Sequence, residues 1–295
     1  GFNGGRNETN NSVSEKIWAA YAQVDLNTEL MGRPVNLVAG VRYERTTSRS
    51  DSVVSPPLAL RWDADNDFTR VSGTTSTVVS EENTYDHILP ALDFSIDLTD
   101  DIKGRVSYGK SIARPSFGDL FSAVDIGSNN PNRPTYLGGI PGATSGNPSL
   151  VPLVSDNFDV SLEWYFAPSS YISVGFFDKR VKNFVGRGQD TQTLFGLRDP
   201  SSGAAGTRSG DAVTFLQSIG ADLSDVNLFT MTALIDQTGS VAAASAQFNA
   251  NYVNGNLTQA FVDATLAAYN VTANANDPLY QFRVQKPVNN KEGHI

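Results

Sequence analysis

Residue types able to carry out a reaction are scarce in this chain. It has no cysteine, so it offers no thiolate nucleophile, no disulfide and no thiolate-ligated metal. Its two histidines, His87 and His294, leave little for a His-rich metal centre. His87 has Asp86 beside it and many serines in the chain, the ingredients of a Ser–His–Asp relay. It also falls mid-strand on a polar face, where a lone histidine is ordinarily a hydrated wall residue. There is no Gly-x-Ser-x-Gly elbow, no His-Glu-x-x-His pair and no phosphate-cradling loop. Asp63-Ala64-Asp65-Asn66-Asp67 opens like a calcium loop, but such a loop needs Gly sixth and Glu twelfth, where Phe68 and Thr74 stand. An acidic, solvated turn is expected there. The chain reads as a non-enzyme, with no cofactor and no metal site.

Other residues are suited to holding a ligand. Phe117, Phe121 and Tyr136 lie in a Gly-, Pro- and Asn-rich stretch with few charges, and Arg187 ends a charged run that includes Asp178, Lys179, Arg180 and Lys182. Rings stack on sugars and chelates, and a guanidinium bonds acidic or hydroxyl oxygens. Phe117, Phe121, Tyr136 and Arg187 are therefore the candidate ligand-binding residues. The rest of the charged run reads as a solvated rim.

The elements that would position them have period two. Along residues 156–166, Phe158, Val160, Leu162, Trp164 and Phe166 alternate with Asn157, Asp159, Ser161, Glu163 and Tyr165. Residues 34–45 and 85–98 alternate in the same way, as do 16–27, 102–113 and 170–185, and 279–286 begins another strand. These runs are about 10–16 residues long, against about five or six in soluble proteins and about 9–11 for a strand crossing a bilayer. The links alternate too. Residues 28–33, 99–101 and 167–169 are short; 48–84, 114–155 and 186–278 are long. Outer-membrane barrels place short turns in the periplasm and long loops outside. Trp164, Tyr165, Phe166 and Tyr171 bracket one short link, as a periplasmic aromatic girdle would.

Within the long links, residues 58–62 and 68–79 read as a hairpin around the acidic turn. Residues 212–219 and 256–269 read as short helices, the second capped by Asn256. The formal net charge of −9 argues against a nucleic-acid partner, and no apolar run is long enough for a spanning helix. A mean hydropathy of −0.25 would suggest a soluble protein, but alternation conceals a barrel's apolar surface from any average. The first residues carry no leader pattern and the last read as a turn entering a strand, so the chain is expected to be an internal piece of a longer protein.

Several words occur in order: Leu89-Pro90-Ala91-Leu92-Asp93, Leu98-Thr99-Asp100-Asp101, and Arg105-Val106-Ser107-Tyr108-Gly109-Lys110 running on to Arg114-Pro115. Gly146-Asn147-Pro148-Ser149-Leu150-Val151-Pro152 and Asn157-Phe158-Asp159-Val160-Ser161-Leu162-Glu163-Trp164-Tyr165 follow, with Pro287-Val288-Asn289-Asn290 near the end. Together they resemble the barrel segment of TonB-dependent receptors, in the dialect of Caulobacter- and Xanthomonas-like bacteria. The resemblance implies an all-β fold: an antiparallel transmembrane barrel, expected at 22 strands and plugged at that size. Residues 1–295 would supply about seven wall strands of that barrel domain, without the N-terminal plug or the C-terminal strands. It further implies residence in the Gram-negative outer membrane and contact with outer-membrane lipid. Uptake of a siderophore or oligosaccharide would be driven by TonB–ExbB–ExbD through the plug. A passive porin-like channel and a soluble β-sandwich adhesin or binding module are the competing readings.

Overall fold

The computed structural model describes residues 11–127 and 131–294; the last residue of the strand-entering tail lies outside the described residues. The alternating runs form long antiparallel strands: β1 (Asn11–Leu30), β2 (Arg33–Val54), β5 (Thr77–Asp97), β6 (Ile102–Ala113), β9 (Leu153–Ala167), β10 (Ser170–Arg198) and β14 (Leu279–His294). They lie side by side in one sheet in that order. Between them come the hairpin β3 (Pro57–Trp62) and β4 (Phe68–Ser72), the short β7 (Val124–Asp125) and β8 (Gly142–Ser145), and the fragments β11 (Tyr252–Val253), β12 (Asn256–Leu257) and β13 (Val271–Thr272).

The register explains the alternation. Leu26, Leu37, Phe94, Val106, Val160 and Phe176 are successive cross-strand partners, so one row across six strands is wholly apolar. The nearby row Asn27, Asn36, Ser95, Arg105, Ser161 and Gly175 has no large apolar side chain and points to the opposite face. The apolar face is open: Val24, Ile88 and Val174 are 64%, 63% and 72% exposed. A water-soluble monomer rarely shows so continuous an apolar surface. The apolar face fits lipid, and the polar face fits the lumen of a barrel.

All three short links fall at one end of the sheet. Met31 and Gly32 take φ of 53° and 73°, as a two-residue hairpin turn requires. Thr99 N–H donates to the Ile102 carbonyl at 3.2 Å, and Ser169 takes φ of 67° in the third link. Arg33 pairs with Asp100 at 3.0 Å, and Tyr165 N–H donates to the Asp101 carbonyl at 2.7 Å, which tie neighbouring turns together.

At the other end the strands run further than the alternation indicates. Residues 48–54 and 77–84, read as part of a link, are paired strand up to Val54↔Thr77. Residues 186–198, likewise read as link, continue β10. Their apolar alternation lapses: Thr46, Ser48, Ser50 and Ser52 line one face of β2 and Thr47, Arg49 and Asp51 the other. The backbone ladder, not side-chain partition, holds them as strand. β6 and β9 stop at Ala113 and Leu153, so two tall ribbons, β2–β5 and β10–β14, flank a notch. Residues 114–127 and 131–152 fill it on the lumen side. Ser122 N–H donates to Ser50 Oγ at 3.1 Å and the Ser122 and Ser52 hydroxyls meet at 3.0 Å. On the far side Asn147 Nδ2 donates to the Pro287 carbonyl at 3.0 Å. β8 adds to β14 in parallel through Arg283↔Gly142.

The largest link is a folded cap. Four helices are found among the described residues, where the alternation and capping signals indicate two: α1 (Arg208–Ser218), α2 (Asp225–Thr238), α3 (Val241–Asn251) and α4 (Gln259–Ala268). Thr207, Ser224 and Ser240 cap the first three by accepting backbone N–H bonds. α2 escapes a periodicity search because it is central: Leu228, Phe229, Thr230, Met231, Thr232, Ala233 and Leu234 are all buried. Thr232 satisfies its hydroxyl by donating to the Leu228 carbonyl at 2.7 Å. Asn256 is not a cap; it pairs with Val253 in β12, and Thr258 precedes α4. β4 ends at Ser72, not at 79. Trp62 and Phe68 of the β3–β4 hairpin stack at 5.7 Å and enter the helical core, with Trp62 edge-on to Phe229 at 5.2 Å. The Asp63–Asp67 turn is a hairpin turn: Asp63 N–H donates to the Asp67 carbonyl at 2.9 Å, and Arg61 takes the Asp63 carboxylate.

Two outcomes follow. Phe229→Ala removes a fully buried ring and is expected to cost about 3–5 kcal/mol, opening α1–α4 in hydrogen exchange while the wall strands keep their protection. Expressed by themselves, residues 1–295 will not insert as a barrel, because seven strands leave two edges of unpaired backbone in lipid. A heat-modifiable, membrane-inserted monomer of this piece would overturn that expectation.

Candidate functional site

The candidate ligand residues fall in two places. Arg187 stands in β10 opposite Pro287 of β14 and pairs with Asp119 at 3.4 Å. Asp119 belongs to a single 3-10 turn, Phe117–Leu120, where Ser116 Oγ donates to its carboxylate at 3.0 Å. Leu120 anchors the turn inward, while Phe117 is 56% exposed and Phe121 half-buried. The turn is locked by the Gly-Asn-Pro word. Asn147 N–H donates to the Asp119 carbonyl at 2.6 Å. A Cβ on Gly146 would lie 2.3 Å from the Phe121 carbonyl oxygen, so the backbones meet closely only because that residue is Gly. Asn289 holds Val151 by both backbone groups, at 3.0 and 2.9 Å. Phe117, Phe121 and Arg187 therefore share one rigid ledge inside the notch.

Tyr136 is elsewhere, at the neck of the cap. It lies in the 3-10 turn Thr135–Leu137, and its ring covers Gly203, where a Cβ would come within 2.3 Å of a ring carbon. Around it is a polar cluster that the alternation and motif reading does not single out. Asp199, 6% exposed, accepts from Thr135 Oγ1, from Ser201 N–H at 2.9 Å and from Ser201 Oγ at 2.9 Å. Asp277, 1% exposed, pairs with Arg208 at 3.0 Å, and Arg208 also reaches Asp236. Arg198 donates to the Asp277 carbonyl at 2.6 Å. Arg133 pairs with Asp225 at the start of α2 at 3.2 Å, tying the notch segment to the cap. The available signal is a pair of Asp-Pro dipeptides, Asp199-Pro200 and Asp277-Pro278, which bracket the insertion where chain leaves and re-enters the wall.

Asp178, Arg180 and Lys182 of the charged run are paired along the wall. Asp178 and Arg180 meet at 3.0 Å, and Lys182 and Glu292 at 3.5 Å. His87 lies opposite Glu44 on the lumen face with its ring 5.6 Å from Tyr85. Glu44 is bonded by Arg114, which also lies 3.7 Å from Glu15. This arrangement suits a charged lumen wall; His87 Nε2 is buried there without a hydrogen-bond partner among the described residues.

Burial pushes the Asp199 carboxyl up; the Thr135 and Ser201 hydrogen bonds hold it down, and Asp277 nearby pushes it up again, with burial dominant. Its folded value therefore stands above the ordinary value of about 4. A raised folded value means that this group's contribution to neck stability is full below that ordinary value and is lost as pH rises through the folded one. Amide exchange at Ser201–Gly203, corrected for intrinsic rates, is expected to quicken as pH is raised from about 4 toward neutrality, and Asp199→Asn should flatten that dependence. An unchanged pH dependence in the variant would exclude Asp199 as its source.

A family model described as TonB dependent receptor-like, beta-barrel, matches residues 1–283. No protein of curated function matches the chain. Among solved structures, the hemophore receptor HasR of Serratia marcescens, a double mutant with hemophore HasA and heme, is 18% identical at a TM-score of 0.38, covering 60% of this chain and 26% of that one. The siderophore receptor PirA of Acinetobacter baumannii is 9% identical at 0.38, covering 96% and 33%. A mutant ferric enterobactin receptor of Pseudomonas aeruginosa with enterobactin is 13% identical at 0.31, covering 60% and 28%. The chain spans between a quarter and a third of the length of these receptors.

Proposed function

Because this chain belongs to the TonB-dependent receptor-like β-barrel family, we propose that it forms part of the wall and outer mouth of a Gram-negative outer-membrane receptor for a bulky, scarce ligand. Residues 1–295 are part of the barrel domain in this reading. The observation that carries it is the pairing of opposite faces: an apolar row from Leu26 to Phe176 and a polar row from Asn27 to Gly175, with every short link at one end. The structured notch segment and cap at the other end supply the mouth. The ligand is of the siderophore-iron or oligosaccharide class. It is captured by outer segments and passed inward when TonB–ExbB–ExbD displaces a plug held against the polar face. The passive-channel reading lacks a plug, so the two separate on whether uptake collapses with the proton gradient.

The exposed ring of Phe117 and the guanidinium of Arg187 are the proposed contacts on the ledge, with Phe121 behind them and Tyr136 at the neck. In the full receptor, Phe117→Ala and Arg187→Ala are each expected to weaken ligand binding about tenfold, the cost of one good contact. The class of ligand is read by growth of a deletion strain on iron-chelate and oligosaccharide panels, then by titration of the responding compound. Unchanged affinity in Phe117→Ala, Phe121→Ala, Tyr136→Ala and Arg187→Ala together would remove these residues from the site.

A further inference from the structure

The charged run on β10 divides by alternation. Asp178, Arg180 and Lys182 stand on the outer face, while Lys179, opposite Asn157, and Arg187, opposite Pro287, stand with the lumen residues. β14 sorts in the same way. Arg283 takes the lumen face opposite Thr191. Lys291 lies between Asn290 and Glu292, the partners of Phe184 and Lys182, and so turns to the lumen at the level of Asn183. All four cations are exposed. The acids of the two strands, Asp178, Asp190 and Glu292, all fall on the outer face, so the lumen face of β10–β14 carries cations alone. That is a local reversal in a chain of net charge −9. The neighbouring lumen wall is acidic: Asp25, Asp93 and Asp159 lie in one row across β1, β5 and β9.

The four cations are evenly spaced in height. They stand at the levels of Lys179, Asn183, Arg187 and Thr191, four residues or about 13 Å apart, on β10 and β14 by turns. Lys179, Lys291 and Arg283 have no carboxylate partner among the described residues, and Arg187 has Asp119, which the notch segment brings to 3.4 Å. Exposed charges of one sign on a shared wall repel one another, so stability does not account for them. Low-dielectric walls focus their field on the lumen. Ammonium and guanidinium groups donate and never accept. A neutral sugar, whose hydroxyls need both, gains less from such a face than a carboxylate or catecholate does. The spacing exceeds the Debye length of about 8 Å at physiological salt, so each rung acts separately. Separate weak sites let a bound anion move on, where a cluster would trap it.

We propose that Lys179, Lys291, Arg187 and Arg283 form a ladder that selects an anionic ligand at the mouth and leads it inward along the β10–β14 side of the lumen. This rests on the receptor reading above and narrows its ligand to one bearing carboxylate or catecholate oxygens, carried by an iron chelate or by an acidic oligosaccharide. Arg283 is the outermost rung. Arg187 is on the ledge with Phe117, where Asp119 offsets its charge and keeps the anion from being retained. Lys291 and Lys179 continue the path below. The acidic row of Asp25, Asp93 and Asp159 confines the anion to this side.

The test titrates the full receptor with two matched pairs: a ferric tris-catecholate against a ferric tris-hydroxamate, and trigalacturonate against maltotriose. Only the first member of each pair is anionic. Wild type is expected to bind the anionic member of one pair about tenfold more tightly than its neutral mate, and the responding pair identifies what carries the acid groups. Lys179→Gln with Lys291→Gln and Arg283→Gln should abolish that preference and leave the neutral affinity unchanged. Arg180→Gln with Lys182→Gln and Lys286→Gln removes an equal charge from the outer face of the same strands and should leave the preference intact. A wild type that binds with no preference, or prefers the neutral member, overturns the ladder and keeps the receptor reading. An equal loss in the outer-face variant overturns it too, by assigning the effect to net charge. So does a preference that survives the lumen-face substitutions; leakage of a bulky neutral dye through that variant would then assign the face to holding the plug. A wild type that binds none of the four would instead bring down the receptor reading itself.

Discussion

In hydrocarbon an unpaired peptide group costs several kcal/mol, because no water is present to replace a missing partner. The ladder from β1 to β14 answers that constraint, and the rest of the molecule is arranged around it. Every residue of β1 from Asn11 to Leu30 has a partner on β2, and β2 is paired from Val35 to Val54 on its other side. With the backbone committed to its neighbours, side chains are free to divide between two environments. Leu26, Leu37, Phe94, Val106, Val160 and Phe176 go to one, and Asn27, Asn36, Ser95, Arg105 and Ser161 to the other. A shift of one residue in any pairing would exchange the two faces, so register and membrane orientation are a single property.

Above the apolar band the constraint relaxes and the architecture changes. The two tall ribbons no longer need a continuous sheet between them, because water or folded chain can satisfy their edges. The chain over residues 114–127 and 131–152 takes that place. It uses hydroxyls of Ser50 and Ser52, the amide of Asn147 and both groups of Asn289 as its attachments, most of them bonds between side chain and backbone. The cap adds a second, independent core in which Phe229, Met231 and Phe248 are buried among helices. It joins the wall through a neck where Asp199 and Asp277 are buried with their partners. A site at the mouth can therefore sit on a rigid ledge beside a unit whose attachment is polar and titratable.

Much of the wall was legible. Alternation placed the seven long strands, and the order of short and long links oriented them, because in a wall facing two solvents each residue's polarity reports its side directly. Arg187 and Phe117 were picked out by type and location, and the fold brings them to one ledge through Asp119. Legibility failed where that two-solvent logic did not apply. The upper parts of β2, β5 and β10 carry polar residues on both faces, and α2 carries apolar ones all round. Tyr136 was grouped with the ledge residues because it shares their loop, while its place against Gly203 depends on an insertion some 60 residues downstream.

What the amino-acid order determined by itself was the local partition: which residues face lipid, which face the lumen, where the turns lie and that no thiol chemistry is present. What only the tertiary structure decided was which distant segments meet. The register that aligns Tyr43, Arg45 and Asp86, the notch that receives Ser122, and the neck that joins Thr135 to Asp199 all depend on contacts between residues more than 40 apart in sequence. The physical reason is that polarity is a property each residue carries into any fold, whereas a contact between remote segments exists only once the ladder has fixed their distance.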